Sequence, residues 1–212
     1  MKDWNLCEHC SRAVSISSSY CPTCHQSLIL DTTGKISIWR LGRIRNGIVG
    51  PLAAELRKAF GKEVIIQPAF LDERPSYRPT WRGISAGVFL DQVHRRHLQG
   101  NAVNLGITEY NIVPNSRYNF LFGYAYMGRP AAVVSLHQIS SDDPPLELLV
   151  ERASSIAVHE IGHTFGLDHH GYDDGVECVM IGDEHVDSLE TLAQGTSSFC
   201  RDCAGIIASR PL

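Results

Sequence analysis

The sequence predicts an α/β fold preceded by a small cysteine-rich module. From residue 35 onward, segments with the period of strands alternate with segments with the period of helices. Of the 212 residues, 43% are hydrophobic, which is enough for one real core. The cysteines fall in two groups, one at each end of the chain. We therefore expect the module over residues 1–30 and the α/β domain over residues 36–212.

The charge balance excludes several classes of function. The chain has 19 basic and 23 acidic residues, and its net charge of -4 is spread along its length. Nothing in this balance predicts binding to nucleic acid or to a membrane. The amino terminus, MKDWNLCEHC, lacks the apolar run of a signal peptide, and no stretch approaches the roughly 18 to 20 apolar residues of a spanning helix. We therefore expect a folded, soluble protein of the cytoplasm.

The seven cysteines indicate metal ligation rather than disulfides, because their number is odd, no export signal is present, and they cluster beside histidines. Two CxxC units, CEHC and CPTC, contain the first group: Cys7, Cys10, Cys21 and Cys24. Two such turns complete the tetrahedral sulfur shell that zinc favours. A metal would also hold together a module of about 30 residues, which cannot bury enough apolar surface to fold unaided. The sequence therefore predicts a zinc ribbon or knuckle.

Other interpretations of this module remain open. CPTCH matches the CxxCH of covalent haem attachment, but that chemistry belongs to exported proteins and leaves the first CxxC unexplained. A redox-active CxxC would need a surrounding strand–helix pattern, which the sequence lacks. His9 and His25 are expected to be bystanders, because four cysteines fill the shell. Lys2 and Arg12 are too few to predict nucleic-acid binding, so a protein partner and a purely structural role both stay open.

After the linker DTTGK, the periodicity predicts the order of the elements. In chain order they are a strand at 35–41, a helix at 51–61 closed by glycine, a strand at 63–70, a helix at 84–98, a strand with its turn at 102–113, and two strands within 119–139. The last two strands are joined around Gly128, Arg129 and Pro130, and the second is expected to include SLHQI. The proline-rich segment LDERPSYRPTWRG is expected to be irregular.

The segment SDDPPLELLVERASSIAVHEIGHTFG predicts the longest helix of the chain. Ser141 or Asp142 is the expected N-cap, with the two prolines in the first turn. Gly166 lets the chain leave the helix through a left-handed conformation. The face expected to pack against the core consists of Val150, Ala157, Val158, Ile161 and Phe165.

Three histidines at the end of this helix have the spacing of a metal site. His159 and His163 point from one face because they are four residues apart, and the reversal at Gly166 can bring His169 to the same ion. Three neutral imidazoles leave a fourth zinc position open to water, which is typical of a catalytic site. Glu160 can take a proton from that water as it attacks a carbonyl. The extended HExxHxxGxxH fixes five residues, so a chance match is on the order of one in 10^5.

HEIGHTFGLDH resembles the long zinc consensus of the metzincin metallopeptidases, and Met180, eleven residues beyond His169, resembles the methionine of their Met-turn. The particular resemblance is to the archaemetzincins, whose later CxM and CxxC elements are matched by CVM at 178–180 and CRDC at 200–203. The likeness extends over residues 36–212 and includes NFLFGYA and SLHQI. It implies a zincin-like α+β arrangement with a twisted mixed sheet, an edge strand lining the cleft, and a C-terminal helix.

The same resemblance implies a second, structural zinc, which this family holds on four cysteines. The position of the cysteine that normally follows the third catalytic histidine is occupied here by a histidine. A Cys3His site is therefore expected, consisting of His170, Cys178, Cys200 and Cys203. Seven residues, GYDDGVE, separate the first two of these, where the family usually has four. The carboxylates of Asp173, Asp174 and Glu177 in this loop are expected to be solvated.

For the mechanism, the resemblance implies that an extended peptide runs along an edge strand within residues 119–127. Asn119, Tyr124 and Tyr126 are candidates for lining the cleft, although aromatic residues in strands usually serve packing. Some metzincins have a tyrosine two positions after the Met-turn methionine, where it serves as an additional zinc ligand or oxyanion donor. No tyrosine stands two positions after Met180, so Glu160 is the one residue expected to be catalytic. We expect a zinc-dependent peptidase with three zinc ions; the alternative is a zinc-stabilised binding or adaptor protein with a closed or vestigial site.

Overall fold

The computed structural model describes residues 4–6, 12–15, 22–24, 34–71, 83–94, 103–114, 120–171, 174–182 and 197–209. In chain order its elements are β1 (Trp4–Leu6), β2 (Ala13–Ser15), β3 (Ile36–Leu41), α1 (Val49–Phe60), β4 (Val64–Leu71), β5 (Ile84–Ser85), α2 (Ala86–His94), β6 (Val103–Thr108), β7 (Ile112–Val113), β8 (Gly123–Ala125), β9 (Ala131–Ser135), α3 (Leu136–Ile139), α4 (Leu146–Thr164) and α5 (Arg201–Ser209).

A five-stranded sheet in the order β4-β3-β6-β9-β8 forms the centre of the domain. The first four strands are parallel, and β8 runs antiparallel to β9. Within the described part of the chain, β8 has a neighbour on one side only, so it forms an open edge of the sheet. The predicted mixed α/β architecture is confirmed.

Alternate residues of the strands pack on opposite faces of the sheet. In β3, Ile36 and Ile38 join the cluster formed with α1 and α4, whereas Trp39 and Leu41 join the cluster formed with α2. This period of two puts α4 on one face and α2 on the other. The helix that carries the three-histidine motif is therefore supported by the larger of the two clusters.

The start of α4 differs from the prediction. Pro145 occupies the N-cap without a side-chain cap, so both prolines precede the first turn. Ser141 and Asp142 lie before the helix and do not cap it. Asp142 instead accepts two hydrogen bonds from the guanidinium of Arg152, at 2.7 and 2.9 Å. Arg152 is buried, and a buried cation needs such a partner more than the helix end needs a cap.

Two other boundaries differ from the prediction. Ile84–Ser85 was expected to begin a helix, but it is β5, which pairs in parallel with β7. SLHQI was expected to be a strand, yet the strand stops at Ser135, whose hydroxyl accepts the His137 N–H (3.2 Å) and caps α3. The elements predicted at 35–41, 51–61, 63–70 and 102–113 agree with β3, α1, β4, and β6 with β7. Residues 95–98 of the second predicted helix lie outside the described part.

The amino-terminal module is described only in short pieces. β1 and β2 pair antiparallel, with Leu6 opposite Ala13. Outside the described residues lie Cys7, His9, Cys10, Cys21 and His25. Among the helices that are described, none combines the length and apolar character needed to cross a membrane.

Candidate metal centres

The carboxyl end of α4 reverses the direction of the chain. Gly166 has a φ of 75°, as expected for a left-handed exit. Its N–H donates to the His163 carbonyl (2.8 Å), and the Leu167 N–H donates to the Gly162 carbonyl (3.2 Å). This pair of bonds is the Schellman arrangement that ends many helices. The reversal brings His169 back beside the helix, as predicted.

Three histidine nitrogens converge at this turn. The Nε2 atoms of His159, His163 and His169 lie 3.0 to 3.1 Å from one another. A zinc ion with tetrahedral bonds of about 2.0–2.1 Å would hold its ligand nitrogens roughly 3.3 Å apart. The spacing therefore fits a single ion with small adjustments.

Backbone carbonyls fix the orientation of two of these rings. His159 Nδ1 donates to the Val179 carbonyl and His163 Nδ1 to the Leu167 carbonyl, each at 2.8 Å. A carbonyl can only accept, so the proton sits on Nδ1 and the lone pair of each ring lies on Nε2. Lone pairs that face one another repel unless a cation lies between them. The donor set therefore fits a metal ion such as zinc, with the backbone orienting its ligands.

Burial keeps these rings neutral, which metal binding requires. Burial, assisted by repulsion from His163, lowers the pKa of His159 to about 3. Burial likewise lowers the pKa of His163. Glu160 is also buried, with 8% of its surface exposed. This burial raises the pKa of Glu160 to about 8.

Met180 lies beneath α4 with no exposed surface. A Cβ placed on Gly162 would come within 2.6 Å of the Met180 sulfur. The methionine thus packs directly against the backbone of the helical turn between His159 and His163. Two residues further on, Gly182 lies beside His169, because a Cβ there would be 3.3 Å from the imidazole ring.

A second group of donors lies close by. The ligand atoms of His170, Cys178, Cys200 and Cys203 all lie within 4.8 Å of one another. His170 Nε2 is 3.2 Å from the Cys203 sulfur and 3.5 Å from the Cys200 sulfur. Burial opposes ionisation of Cys200, but hydrogen bonds from Cys203 and neighbouring side chains outweigh it and lower its pKa to about 7. Burial and the neighbouring thiols raise the pKa of Cys203, so the lowered pKa belongs to one thiol of the pair. Three sulfurs and one imidazole nitrogen gathered at one place are a donor set that zinc favours, so this group also fits zinc.

One short segment joins the two groups. The His170 N–H donates to the Met180 carbonyl (2.9 Å), and the Gly182 N–H donates to the His170 carbonyl (3.3 Å). Between Cys178 of the second group and Met180 lies Val179, whose carbonyl orients His159 in the first group. The adjacent residues His169 and His170 therefore face different groups.

The remaining candidates that the structure describes do not join either group. Tyr126 donates its hydroxyl to Asp91 of α2 (2.7 Å), and alternation along the strand puts Tyr124 on that same face of the sheet, away from α4. The exposed Asp174 accepts the Gly171 N–H (2.7 Å). Glu177 is exposed too, as expected for solvated loop carboxylates. Asn119 and Asp173 lie outside the described residues.

Some residues of the site could not be foreseen. The carbonyls of Val179 and Leu167 leave no signal in the sequence, since every residue carries one. Gly123 of β8 lies against the side chain of Glu160. It did leave a signal, because a glycine inside a strand pattern often marks close approach of the backbone to something else.

Comparisons with known proteins agree with this geometry. Residues 92–209 match the model of peptidase family M54. The archaemetzincin of Archaeoglobus fulgidus is 34% identical over 164 residues, which cover 77% of this chain and 93% of that protein. Its crystal structure, complexed with malonate, superposes with a TM-score of 0.66 over 81% of this chain and 99% of that one, at 33% identity. The crystal structure of the Methanopyrus kandleri archaemetzincin gives a TM-score of 0.66 at 28% identity over 84% of this chain and 94% of that one.

Proposed function

Because the chain belongs to peptidase family M54, the archaemetzincins, and is therefore a zinc metallopeptidase, we propose that its reaction centre is the three-histidine group with Glu160 as general base. His159, His163 and His169 would hold the catalytic zinc. The observation that carries this proposal is the convergence of their three Nε2 atoms at 3.0 to 3.1 Å, with the buried Glu160 following His159 on the same helix.

Glu160 performs the proton transfers. When bound, zinc makes water acidic and stabilises the negative charge that develops on the scissile carbonyl. Glu160 follows His159 directly on α4, and the proposal requires its carboxylate to reach the water bound at the three-histidine group. It accepts the proton of the attacking water and passes it to the departing amine. Burial excludes competing solvent and raises the pKa of Glu160, which makes its carboxylate a stronger base; the charge of a bound zinc would favour the ionised form that accepts the proton.

The peptide substrate binds along the open edge of β8. An extended chain can add itself to such an edge through backbone hydrogen bonds, which give affinity without demanding one sequence. β8 packs on α4, so a peptide bound there passes the metal-binding end of that helix. Tyr124 and Tyr126 lie on the opposite face of the sheet and are not assigned to the reaction.

Two further zinc ions would be structural. His170, Cys178, Cys200 and Cys203 would hold the first of them. The amino-terminal ribbon would hold the other through Cys7, Cys10, Cys21 and Cys24. The antiparallel pairing of β1 with β2 supports this, because Leu6 and Ala13 flank the first CxxC in the sequence and lie opposite each other.

The alternative of a binding or adaptor protein with a vestigial site is less well supported. A vestigial site has no reason to keep its base, whereas here Glu160 and all three histidines are in place. Membership of a peptidase family favours catalysis as well.

The test is the isosteric substitution Glu160→Gln, assayed with a library of quenched fluorogenic peptides. Since general-base catalysis contributes about 10^2 to 10^4 in rate, cleavage should fall by at least 100-fold. Zinc content should be unchanged, because Glu160 is not among the donors. Glu177→Gln makes the same chemical change on an exposed carboxylate and should leave the rate as it was. A Glu160→Gln protein that still cleaves at the wild-type rate would refute the mechanism.

A further inference from the structure

The open edge of the sheet presents particular backbone groups to a peptide. The Ser135 N–H donates to the Phe122 carbonyl (2.8 Å), and the Tyr126 N–H donates to the Ala131 carbonyl (3.0 Å). Residues of an antiparallel strand turn their backbone groups alternately toward and away from the neighbouring strand. Phe122 and Tyr126 therefore face β9, while Gly123 and Ala125 direct their N–H and C=O groups outward.

Gly123 also touches the general base. A Cβ placed on it would lie 2.5 Å from Cγ and 2.6 Å from Oε1 of Glu160, and 2.8 Å from Cγ2 of Ile156. Real Cβ contacts do not come this close, so any side chain here would have to displace the glutamate. The backbone of β8 therefore lies directly against the carboxylate.

The backbone conformation does not explain this glycine. Gly123 is not among the glycines with positive φ, so an L-residue could adopt its conformation without strain. Glycine also weakens a strand, because it has the largest conformational entropy to lose and no side chain to pack. The space that the missing side chain leaves for Glu160 is what distinguishes the position.

We propose that Gly123 is a positioning residue that sets the place of the Glu160 carboxylate and aligns the scissile bond of the peptide with it. The outward-facing N–H and C=O groups of Gly123 would pair with the peptide. The lack of a side chain on Gly123 leaves the space that Glu160 occupies. The peptide residue that pairs with Gly123 thus lies beside the scissile bond, in a register that the strand imposes. This inference rests on the proposed role of Glu160 as base and of β8 as the substrate-binding edge.

The test compares Gly123→Ala with Gly106→Ala in the full-length, zinc-loaded protein. A Cβ on Gly106 of β6 would overlap Leu41 and Val93 at 2.6 and 2.9 Å, which is a similar crowding on the other face of the sheet. Displacement of a catalytic group by about 1 Å costs on the order of 100-fold in rate. Gly123→Ala should therefore lower kcat about 30- to 100-fold for a fluorogenic peptide that the wild type cleaves, with KM within about threefold. Gly106→Ala should leave kcat unchanged.

A double-mutant cycle with Glu160→Ala, measured by stability, identifies the partner. Alanine removes both Cγ and Oε1, the two atoms of Glu160 that the new Cβ would meet. Gly123→Ala should therefore lower Tm less in the Glu160→Ala background than in the wild type, and if Gly123→Ala alone does not fold, Glu160→Ala should restore folding. Equal losses of Tm in both backgrounds, or folding that Glu160→Ala does not restore, would overturn the proposal.

A crystal structure of Gly123→Ala gives a result that needs no turnover. The Glu160 carboxylate should be displaced by about 1 Å or more, and an unmoved carboxylate would overturn the proposal. The proposed function fails by a different outcome, namely full activity of Glu160→Gln. An inactive Glu160→Gln together with a wild-type kcat for Gly123→Ala would remove the positioning role and leave the general base in place.

Discussion

Replacing His170 by alanine tests whether the second group of donors holds a structural zinc. The substitution leaves three sulfurs, of which those of Cys178 and Cys203 are buried. Three thiolates without a fourth ligand bind zinc more weakly, so the protein should contain two zinc ions in place of three. Metal analysis of the purified protein measures this directly.

The expected loss of stability follows from linkage. A metal present at 100 to 1,000 times its dissociation constant stabilises the folded state by about 2.7 to 4.1 kcal/mol. A chain of this length changes its Tm by about 2–4 °C per kcal/mol, so Tm should fall by about 5–16 °C. Differential scanning calorimetry with zinc in excess would measure the shift. His137→Ala, on an exposed histidine, is the matched control and should leave Tm unchanged.

The effect should reach the reaction centre as well. If the second group loses its metal, Cys178 is no longer fixed in place. Cys178 precedes Val179, whose carbonyl orients His159. Loss of such an orienting partner typically costs 10- to 100-fold in metal affinity, so the catalytic zinc should be removed by a chelator at correspondingly lower concentration. His170→Cys is informative because a cysteine side chain is shorter than a histidine side chain, so its sulfur lies further from the zinc position than Nε2 does. The longer zinc–sulfur bond, about 2.3 Å, makes up only about 0.3 Å of that difference. It should bind zinc better than His170→Ala and more weakly than the wild type. A His170→Ala protein with three zinc ions and an unchanged Tm would refute the reasoning.

Two further predictions concern stability. Replacing glycine by alanine inside a helix normally stabilises the fold by about 0.8–1.0 kcal/mol, and Gly205→Ala should show this gain because it lies in open space on α5. In Gly162→Ala the new Cβ would meet the Met180 sulfur, and such overpacking costs about 1–3 kcal/mol. Gly162→Ala should therefore melt at least about 2 °C below Gly205→Ala, and equal melting would contradict the packing of Met180 beneath α4. The second prediction concerns Asp142, whose pKa is lowered by hydrogen bonds from Arg152. Its ionised carboxylate therefore stabilises the fold fully above the ordinary pKa of about 3.9, and this stabilisation is lost as the pH falls through the lowered pKa. Asp142→Asn should lower Tm at pH 7 and converge with the wild type in acid; a difference independent of pH would exclude the pair as its cause.

The parts of the fold that the sequence predicted are those set by near neighbours along the chain. His159 and His163 share a face because of helical spacing, and Gly166 ends the helix by a local conformation. The start of α4 was missed because Asp142 pairs with Arg152, ten residues on and buried, and a side chain cannot serve as both cap and counter-ion. The short helix after Ser135 was missed although its cap is a local signal, since the apolar run through β9 is equally consistent with a longer strand.

The candidate site likewise contains some groups that the sequence predicts and others that only the folded chain defines. The two groups of candidate donors that the structure brings together could be predicted, because metal ligation restricts the residue types and leaves a pattern in the sequence. The groups that orient the donors could not, since the Val179 and Leu167 carbonyls belong to the backbone and are defined only once the chain has folded. Gly123 lies between these cases: it leaves a signal, but its contact with Glu160 depends on how β8 packs on α4.

The adjacency of His169 and His170 constrains how the two groups can change. A single peptide bond joins them, and the His170 backbone is tied on both sides to the segment that contains Met180. A shift of that segment therefore moves the Val179 carbonyl that orients His159 and the sulfur beneath α4 at the same time. Because close-packed turns adopt discrete arrangements and do not deform continuously, we expect the proposed reaction centre to lose its geometry when the neighbouring group loses its own. A metal with no part in the reaction would thus still be required for the geometry of the one that has.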